Sequence, residues 1–200
     1  MIWLLYLPLT TIVCLLAFPL APIIALFADG QGDVTLSDKN PLRLWLTPDN
    51  PIEGDSGHFD RWAGFVAAHP KIGMYIQRVA WLWRNKAYGW RWTVFSTFIG
   101  SDDELLQCGD SETDNDPFHP GIWFATTSRN PIKARWMLYV IWPTFSGRCL
   151  RVYLGWKLQS ACKYRIQHAE NPAFIIPDYT AMFVCSANPW KERGSTTHRL

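Results

Sequence analysis

Four acidic residues occupy alternate positions in the stretch DSETDND: Asp110, Glu112, Asp114 and Asp116. Calcium-binding loops place oxygen ligands at alternate positions in the same way. The pattern then departs from such loops, because the sixth position is Asn115 instead of glycine and the twelfth is Gly121 instead of glutamate. We therefore predict a solvated acidic loop over residues 101–120, able to dock against a basic partner, and no metal site.

Carboxylates and a histidine also lie close together upstream, at Asp49, Glu53, Asp55, His58 and Asp60. Such side chains could serve acid–base or metal chemistry. They fall in the turn-rich stretch LTPDNPIEGDSGHFD, where Asp and Asn side chains commonly bend and cap the backbone. A structural use of these side chains is therefore favoured.

The sequence contains no motif for nucleophilic catalysis or nucleotide binding. GxSxG, P-loop and dinucleotide fingerprints are missing, and the five histidines are scattered. The cysteines form no CxxC pair and no zinc-type cluster, so reduced and mostly buried thiols are expected at Cys14, Cys108, Cys149, Cys162 and Cys185. We predict a protein that is not an enzyme, with no catalytic residue, cofactor, metal or small-molecule substrate.

Basic residues dominate the sequence after the acidic loop, at Arg148, Arg151, Lys157, Lys163 and Arg165, interleaved with Tyr153 and Tyr164. Such a surface could bind anionic lipid or nucleic acid. A solvated strand face is the commoner explanation, and a net charge of +2 creates no global field that would attract nucleic acid. Nucleic acid is therefore an unlikely partner.

The first 28 residues form an apolar segment without a charged side chain. It is long enough for a membrane-spanning helix, with aromatic residues where an interfacial belt would lie. Pro8, Pro19 and Pro22 are expected to kink it, which leaves a kinked single span or a bent re-entrant hairpin. The predicted contacts with a membrane or a protein assembly are Trp3, Leu4, Leu5, Tyr6, Leu15, Leu16, Ile23, Ile24, Leu26 and Phe27.

The apolar segment has two other interpretations. A cleaved signal peptide is disfavoured, because the segment has no basic start and no plain Ala-x-Ala site. An apolar helix buried inside a protein assembly stays open. If the segment spans a membrane, the first positive charges after it, Lys39 and Arg43, favour a cytoplasmic C-terminal domain.

The remaining chain predicts one main helix and several strands. Residues 29–60 indicate ordered turns. Residues 70–88 predict a helix with an apolar stripe at Ile72, Ile76, Val79, Ala80 and Trp83, away from Arg78 and Arg84. A core helix packed on a sheet is favoured over an interfacial anchor. Strands are predicted over residues 90–99, 122–126, 135–142, 148–159 and 181–186.

The strand over residues 148–159 alternates with a period of two. One face carries Leu150, Val152, Leu154, Trp156 and Leu158 and is predicted to be buried, whereas the other carries Arg151, Tyr153, Gly155 and Lys157 and is predicted to be wet. The fold class is α+β, an apolar N-terminal helix kinked at prolines plus an antiparallel-sheet domain. The predicted regions are 1–28 (apolar segment), 29–190 (one Trp-rich domain) and 191–200 (loose polar tail).

Several segments carry a resemblance to a known group of proteins. LAFPLAPIIALFAD, LTPDNPIEGD, RVAWLWRNKAYGW, CLRVYLGWKLQ and AMFVCSANPWK occur in this order along most of the chain. The sequence resembles small proteins of tailed bacteriophages and prophages that have no assigned activity. The resemblance implies a phage origin, a hydrophobic N-terminus and a compact β-rich domain, and it supplies no catalytic residues.

Three functions are then open. The first is a non-enzymatic phage structural protein, either in the tail or portal region of the virion or anchored in a membrane. The second is a host-membrane protein made during infection, for lysis, exclusion or anchoring. The third and weakest is an envelope-acting enzyme using Asp49, Glu53, Asp55 or His58. The expected partners are other phage structural proteins or the host inner membrane, and an oligomer is left open.

Overall fold

The computed structural model describes residues 2–27, 41–48, 50–101, 103–127, 134–168 and 178–194. The chain divides into two compact units, which we call the helical unit (Ile2–Phe95) and the sheet unit (from Ser96 onward). An apolar N-terminal helix together with an antiparallel sheet confirms the predicted α+β class.

The helical unit consists of three α-helices and two shorter helical turns. These are α1 (Ile2–Ala25), a 3-10 turn (Pro41–Trp45), α2 (Ser56–Ala68), α3 (Pro70–Arg84) and a π-helical turn (Trp90–Val94). Helices α1 and α2 both pack on α3. The core is apolar and includes Ala21, Ile24, Trp45, Trp81 and Leu82.

Local chemistry explains where α2 and α3 begin. The Asp55 side chain accepts a hydrogen bond from the His58 backbone N–H at 2.8 Å and so caps the start of α2. Pro70 occupies the first turn of α3, where its missing N–H costs nothing. Gly73 lets the two helices approach closely, because a side chain there would collide with the backbone of Val66.

Several predictions for this unit were wrong. Helix α1 runs continuously through Pro8, Pro19 and Pro22, which excludes the bent re-entrant hairpin. Helix α2 was not foreseen, so the fold has more than one main helix besides α1. The predicted helix over residues 70–88 ends at Arg84. The predicted strand over residues 90–99 is reduced to Thr97–Ile99, because residues 90–94 form the π-helical turn.

A buried ion pair joins the turn before α2 to helix α3. Arg78 Nε lies 2.5 Å from Glu53 Oε1, and both side chains are nearly inaccessible to solvent. The Gln77 side chain donates to the Glu53 carbonyl at 2.9 Å, and His58 Nε2 donates to the Gln77 carbonyl at 3.0 Å. Arg78 therefore lies on the buried face of α3, contrary to its predicted place outside it, since its charge is met inside the unit.

The sheet unit is built on a five-stranded antiparallel sheet with the strand order β2-β5-β6-β7-β9. Two two-stranded sheets, β1–β8 and β3–β4, and helix α4 complete it. The bounds are β1 Thr97–Ile99, β2 Leu105–Gly109, β3 Asp114–Asn115, β4 Phe118–His119, β5 Gly121–Thr127, β6 Trp136–Pro143, β7 Arg148–Trp156, α4 Gln159–His168, β8 Tyr179–Ala181 and β9 Phe183–Glu192.

The inner face of the large sheet carries Trp123, Met137, Tyr139, Ile141 and Tyr153, all buried. The predicted burial of this segment is correct at its end and wrong along the strand. Trp156 and Leu158 are buried as predicted. Within β7, however, Tyr153 and Gly155 are buried, whereas Leu150, Val152 and Leu154 are half-buried. The reason is packing: Tyr153 meets Tyr139 with ring centroids 4.7 Å apart. Gly155, at φ +99°, lies against the Trp136 backbone, where no side chain would fit.

The boundaries also differ from those predicted. The apolar segment packs with residues 41–95, so the first compact unit extends to Phe95. The acidic stretch is not a plain loop, because β2 and the β3–β4 hairpin lie within it. Of the predicted loose tail, Lys191 and Glu192 belong to β9, and residues 195–200 lie outside the described residues.

We expect Arg78→Met to lower the free energy of unfolding by about 3–5 kcal/mol, because it leaves the Glu53 carboxylate buried without its guanidinium partner. Arg84→Met is the matched control. Arg84 lies 3.6 Å from Asp55 in an exposed bridge, so its loss should cost less than about 1 kcal/mol. Chemical unfolding of the full chain in detergent measures both, and equal losses would contradict the assigned role of the buried pair.

Candidate membrane-contact site

Helix α1 has two faces of different composition. The face toward the protein carries mainly small side chains, Thr10, Ala17, Ala21 and Ala25, which are buried together with Ile24. The opposite face carries large apolar side chains and no charge. We call it the outward face, and its exposed members, including the turn that follows the helix, are Leu4, Leu5, Leu9, Ile12, Leu15, Leu16, Phe18, Ile23, Leu26 and Phe27.

This arrangement is the reverse of a helix at the surface of a water-soluble protein. A soluble amphipathic helix buries its large apolar residues and presents polar ones to solvent. Helices packed within membranes use small residues at the contact, so that backbones approach closely, and turn large apolar residues to the lipid. By length and composition α1 is also long and apolar enough to cross a membrane.

Proline residues in α1 leave backbone carbonyls without their usual donors, and residues of the following segment supply substitutes. Pro22 has no N–H for the Phe18 carbonyl, which instead accepts a hydrogen bond from the Trp83 indole at 3.0 Å. The Pro22 carbonyl lacks an intrahelical donor for another reason, because α1 ends at Ala25, and it accepts from the Tyr75 hydroxyl at 3.2 Å. A membrane helix tolerates proline where a neighbouring helix satisfies the freed groups in this way.

The segment after α3 continues back along α1. The Cys14 thiol lies 3.8 Å from the Lys86 carbonyl, and the rings of Tyr6 and Phe95 are 5.2 Å apart. Residues 75–95 thus run antiparallel to α1 over most of its length. The Lys86 ammonium lies 5.3 Å from the Phe18 ring centre, so a positive charge lies beside the C-terminal half of the helix.

The structure separates the ten predicted contact residues into three groups. Ile24 is buried in the core and is unable to reach a membrane, which corrects its assignment. Trp3 and Tyr6 are half-buried, and the other seven lie on the outward face. Sequence reasoning missed Leu9, Ile12 and Phe18, although the spacing of the small residues at helical period could have identified the whole face.

The acidic residues near His58 have structural partners. Glu53 pairs with Arg78, Asp55 caps α2, and the His58 ring is buried in a hydrogen bond. Asp60 is exposed on α2, and Asp49 lies outside the described residues. Within the described part of the chain, no group of three or more His, Cys, Asp or Glu side chains comes together to hold a metal ion.

Acidic side chains of the DSETDND stretch bend the backbone. Asp110 accepts from the Glu112 backbone N–H at 2.9 Å and pairs with the His119 ring at 2.7 Å. Asp114 accepts from the backbone of Asn115 at 2.7 Å. These bonds form the turn and the small hairpin instead of a cation cage.

Three of the five cations considered for a basic surface bond to the protein itself. Arg148 donates to the Trp190 carbonyl at 3.0 Å, and Arg151 reaches the Asn115 side chain at 3.5 Å on the inner side of the sheet. Arg165 lies on α4 and donates to the carbonyls of Gly100 and Asp103. These three arginines therefore organise loops of the sheet unit.

The cysteines differ in burial from the prediction of mostly buried thiols. Cys149 and Cys162 are buried, Cys14 is half-buried, and Cys108 and Cys185 are exposed. Burial raises the pKa of Cys162 to about 12.

The chain belongs to a protein family of unknown function, DUF7338, whose sequence profile matches residues 1–195. Neither the curated proteins nor the solved structures include a match to this chain.

We expect Trp83→Phe to lower the free energy of unfolding by about 1 kcal/mol, because the Phe18 carbonyl loses its donor. The effect should be much smaller in a Pro22→Ala background, where the restored backbone N–H can donate to the same carbonyl. A double-mutant cycle by chemical unfolding in detergent measures this coupling. Additive effects of the two substitutions would show that the indole does not replace the missing amide.

The pKa of Asp110 should lie below its ordinary value of 3.8, because the Glu112 backbone N–H and then the His119 ring stabilise the carboxylate. A depressed folded-state pKa adds stability above the unfolded value, and this stability is lost as pH falls through the folded pKa. Carboxyl-detected NMR titration should show the pKa rise in His119→Gln. An unchanged value would contradict the pairing.

Proposed function

We propose that this chain is a non-enzymatic structural protein of bacteriophage origin that is attached to a membrane through the outward face of α1. The observation that carries the proposal is the composition of that helix, with small residues against the protein and large apolar residues exposed. Lipid is the environment in which this distribution is stable.

The charge beside α1 favours a helix that lies in the membrane surface. If α1 crossed the bilayer, the Lys86 ammonium, which lies over the Phe18 ring, would be carried toward the hydrocarbon core beside it. A charged side chain at the bilayer centre costs at least about 2.5 kcal/mol. An in-plane helix keeps this cation at the headgroups while its outward face enters the acyl region.

The outward face is large enough to hold the protein on a membrane. Transfer of its ten exposed apolar side chains from water to lipid is worth on the order of 10 kcal/mol, at about 25 cal/mol per Å2 of apolar surface. An attachment of this strength needs no covalent lipid.

The phage setting comes from the resemblance of the sequence, and the absence of an enzymatic role is supported by the structural use of Glu53, Asp55 and His58. Two locations are compatible with the proposal, the virion (tail or portal region) and the host membrane, with the sheet unit in the cytoplasm. Mass spectrometry of purified particles beside membranes of infected cells distinguishes them. Peptides in neither fraction would refute the phage setting.

We expect the double substitution Ile12→Lys and Leu16→Lys to release the protein from membranes. Both side chains lie on the outward face, and each lysine there should weaken insertion by about 2 kcal/mol or more. Flotation with liposomes measures binding. The matched control is Phe59→Lys with Phe65→Lys, which places the same charges at exposed apolar positions of α2 and should leave binding unchanged.

Two outcomes would contradict membrane attachment through α1. In one, the unmodified chain is washed from membranes by alkaline carbonate as a peripheral soluble protein would be. In the other, the α1 and α2 variants lose binding equally. Circular dichroism of each variant confirms that the loss reflects contact with lipid instead of unfolding.

A further inference from the structure

The outer face of the five-stranded sheet, opposite Trp123 and Tyr139, is apolar on every strand. One row of paired residues crosses all five strands and consists of Cys108, Phe124, Leu138, Leu154 and Cys185. Phe124 is 39% exposed, and both cysteines are exposed. We call this surface the outer sheet face.

A second row of the outer sheet face has the same character. It consists of Ile122, Val140, Val152 and Ala187, of which Ile122 is 53% exposed. No charged side chain occurs in either row. An antiparallel sheet with one face in water normally carries polar residues there, so an uncharged face of this extent indicates a contact surface.

We propose that the outer sheet face binds the same face of a second copy of this chain. The pair Trp142 and Leu150 continues the outer sheet face beyond the second row. With this pair, the face measures roughly 20 Å across the strands and roughly 20 Å along them, from the spacing and rise of β-strands. Its side-chain relief adds to the projected area, which brings it close to the contribution of about 600 Å2 that one partner makes to a small stable dimer.

The chemistry of the face fits a copy of itself better than a different protein. A surface without charge does not repel its own copy, and it offers none of the charge complementarity that selects most unlike partners. Two such sheets pack face to face about 10 Å apart, as in a β-sandwich. In such a dimer the apolar rows would be buried between the two sheets, whereas in a single copy they are partly exposed to solvent.

The strand order suggests where the two-fold axis lies. Strand β6 is the central strand of the sheet. A two-fold axis that runs parallel to β6, midway between the two packed sheets, places Leu138 against the partner subunit's Leu138. The same axis brings Phe124 opposite the partner subunit's Leu154, and Cys108 opposite the partner subunit's Cys185. The exposed thiols thus lie at the two edges of the dimer contact and can report it.

The dimer is independent of the lipid contact of α1, so the two proposals fail separately. The test uses the full chain in detergent, with its protein mass measured by light scattering and native mass spectrometry. We expect a dimer that a short bismaleimide cross-links between subunits. The product should disappear when Cys108→Ser and Cys185→Ser are combined, while the measured mass stays that of a dimer.

Ile122→Lys should weaken dimerisation about a hundredfold or more, because each copy then brings an unpaired charge into the contact. Trp142→Lys, 59% exposed at the end of the central strand, provides an independent variant of the same face. Phe98→Lys is the matched control, since Phe98 is 63% exposed on β1 in a different sheet.

A monomer at all accessible concentrations would overturn the proposal. A dimer that both face variants leave intact would also overturn it, because association would then use another surface. If the chain were monomeric in detergent and the face variants instead lost binding to liposomes, the outer sheet face would be a lipid contact and the dimer would be refuted.

Discussion

The close approach of α1 to α3 is the contact on which the helical unit depends. Small side chains at Ala17, Ala21 and Ala25 let the backbone of α1 come near the following helix, and large ones there would hold the two apart. That approach brings the Trp83 indole within reach of the Phe18 carbonyl, which Pro22 leaves unpaired, and the Tyr75 hydroxyl within reach of the Pro22 carbonyl at the helix end. With the small residues against α3, the large apolar side chains on the opposite side of α1 point away from the protein and form the outward face.

The two units manage apolar surface in different ways. The helical unit buries an apolar core together with one ion pair, Glu53 with Arg78, and exposes large apolar side chains along one face of α1. The sheet unit buries aromatic rings on one face, such as the pair Tyr139 and Tyr153, and keeps a second apolar face open. In both cases the named exposed side chains are apolar and carry no charge, and this is the observation from which we propose a lipid contact for α1 and a dimer contact for the sheet.

Periodicity and composition revealed the α+β class, the start of α3 and most strands of the large sheet. They failed where contacts with distant residues determine the secondary structure or the buried face. The segment WRWTVF has the composition of a strand, yet Trp90 packs edge-on against Trp45 at 5.9 Å and the backbone coils into a π-helical turn. Along β7 the prediction buried Leu150, Val152 and Leu154 instead of Tyr153 and Gly155, although Trp156 and Leu158 are buried as predicted. Both sides of the strand carry apolar residues, so alternation alone does not show which side is more deeply covered.

The candidate site was found only in outline from the sequence. An uncharged segment of this length indicates contact with lipid or protein. Which of its residues are exposed depends on the spacing of the alanines, which mark the side that packs on the protein. Ile24 lies on that buried side, although it was predicted to be a contact residue. The buried position of Arg78 had no signal in the sequence, because its partner Glu53 is distant along the chain and lies in a stretch that indicates only turns.

The two side-chain hydrogen bonds that complete the backbone bonding of α1, one of which replaces the missing Pro22 amide, come from residues that are synthesised later. Helix α1 leaves the ribosome first, but the indole of Trp83 and the hydroxyl of Tyr75, which complete its backbone bonding, are translated more than fifty residues later. Until then the nascent helix carries unpaired carbonyls at Phe18 and Pro22 in an otherwise apolar segment. In the membrane attachment that we propose for α1, a headgroup layer with its water would solvate those carbonyls while lipid covers the leucines, and α3 would later take the place of the headgroups.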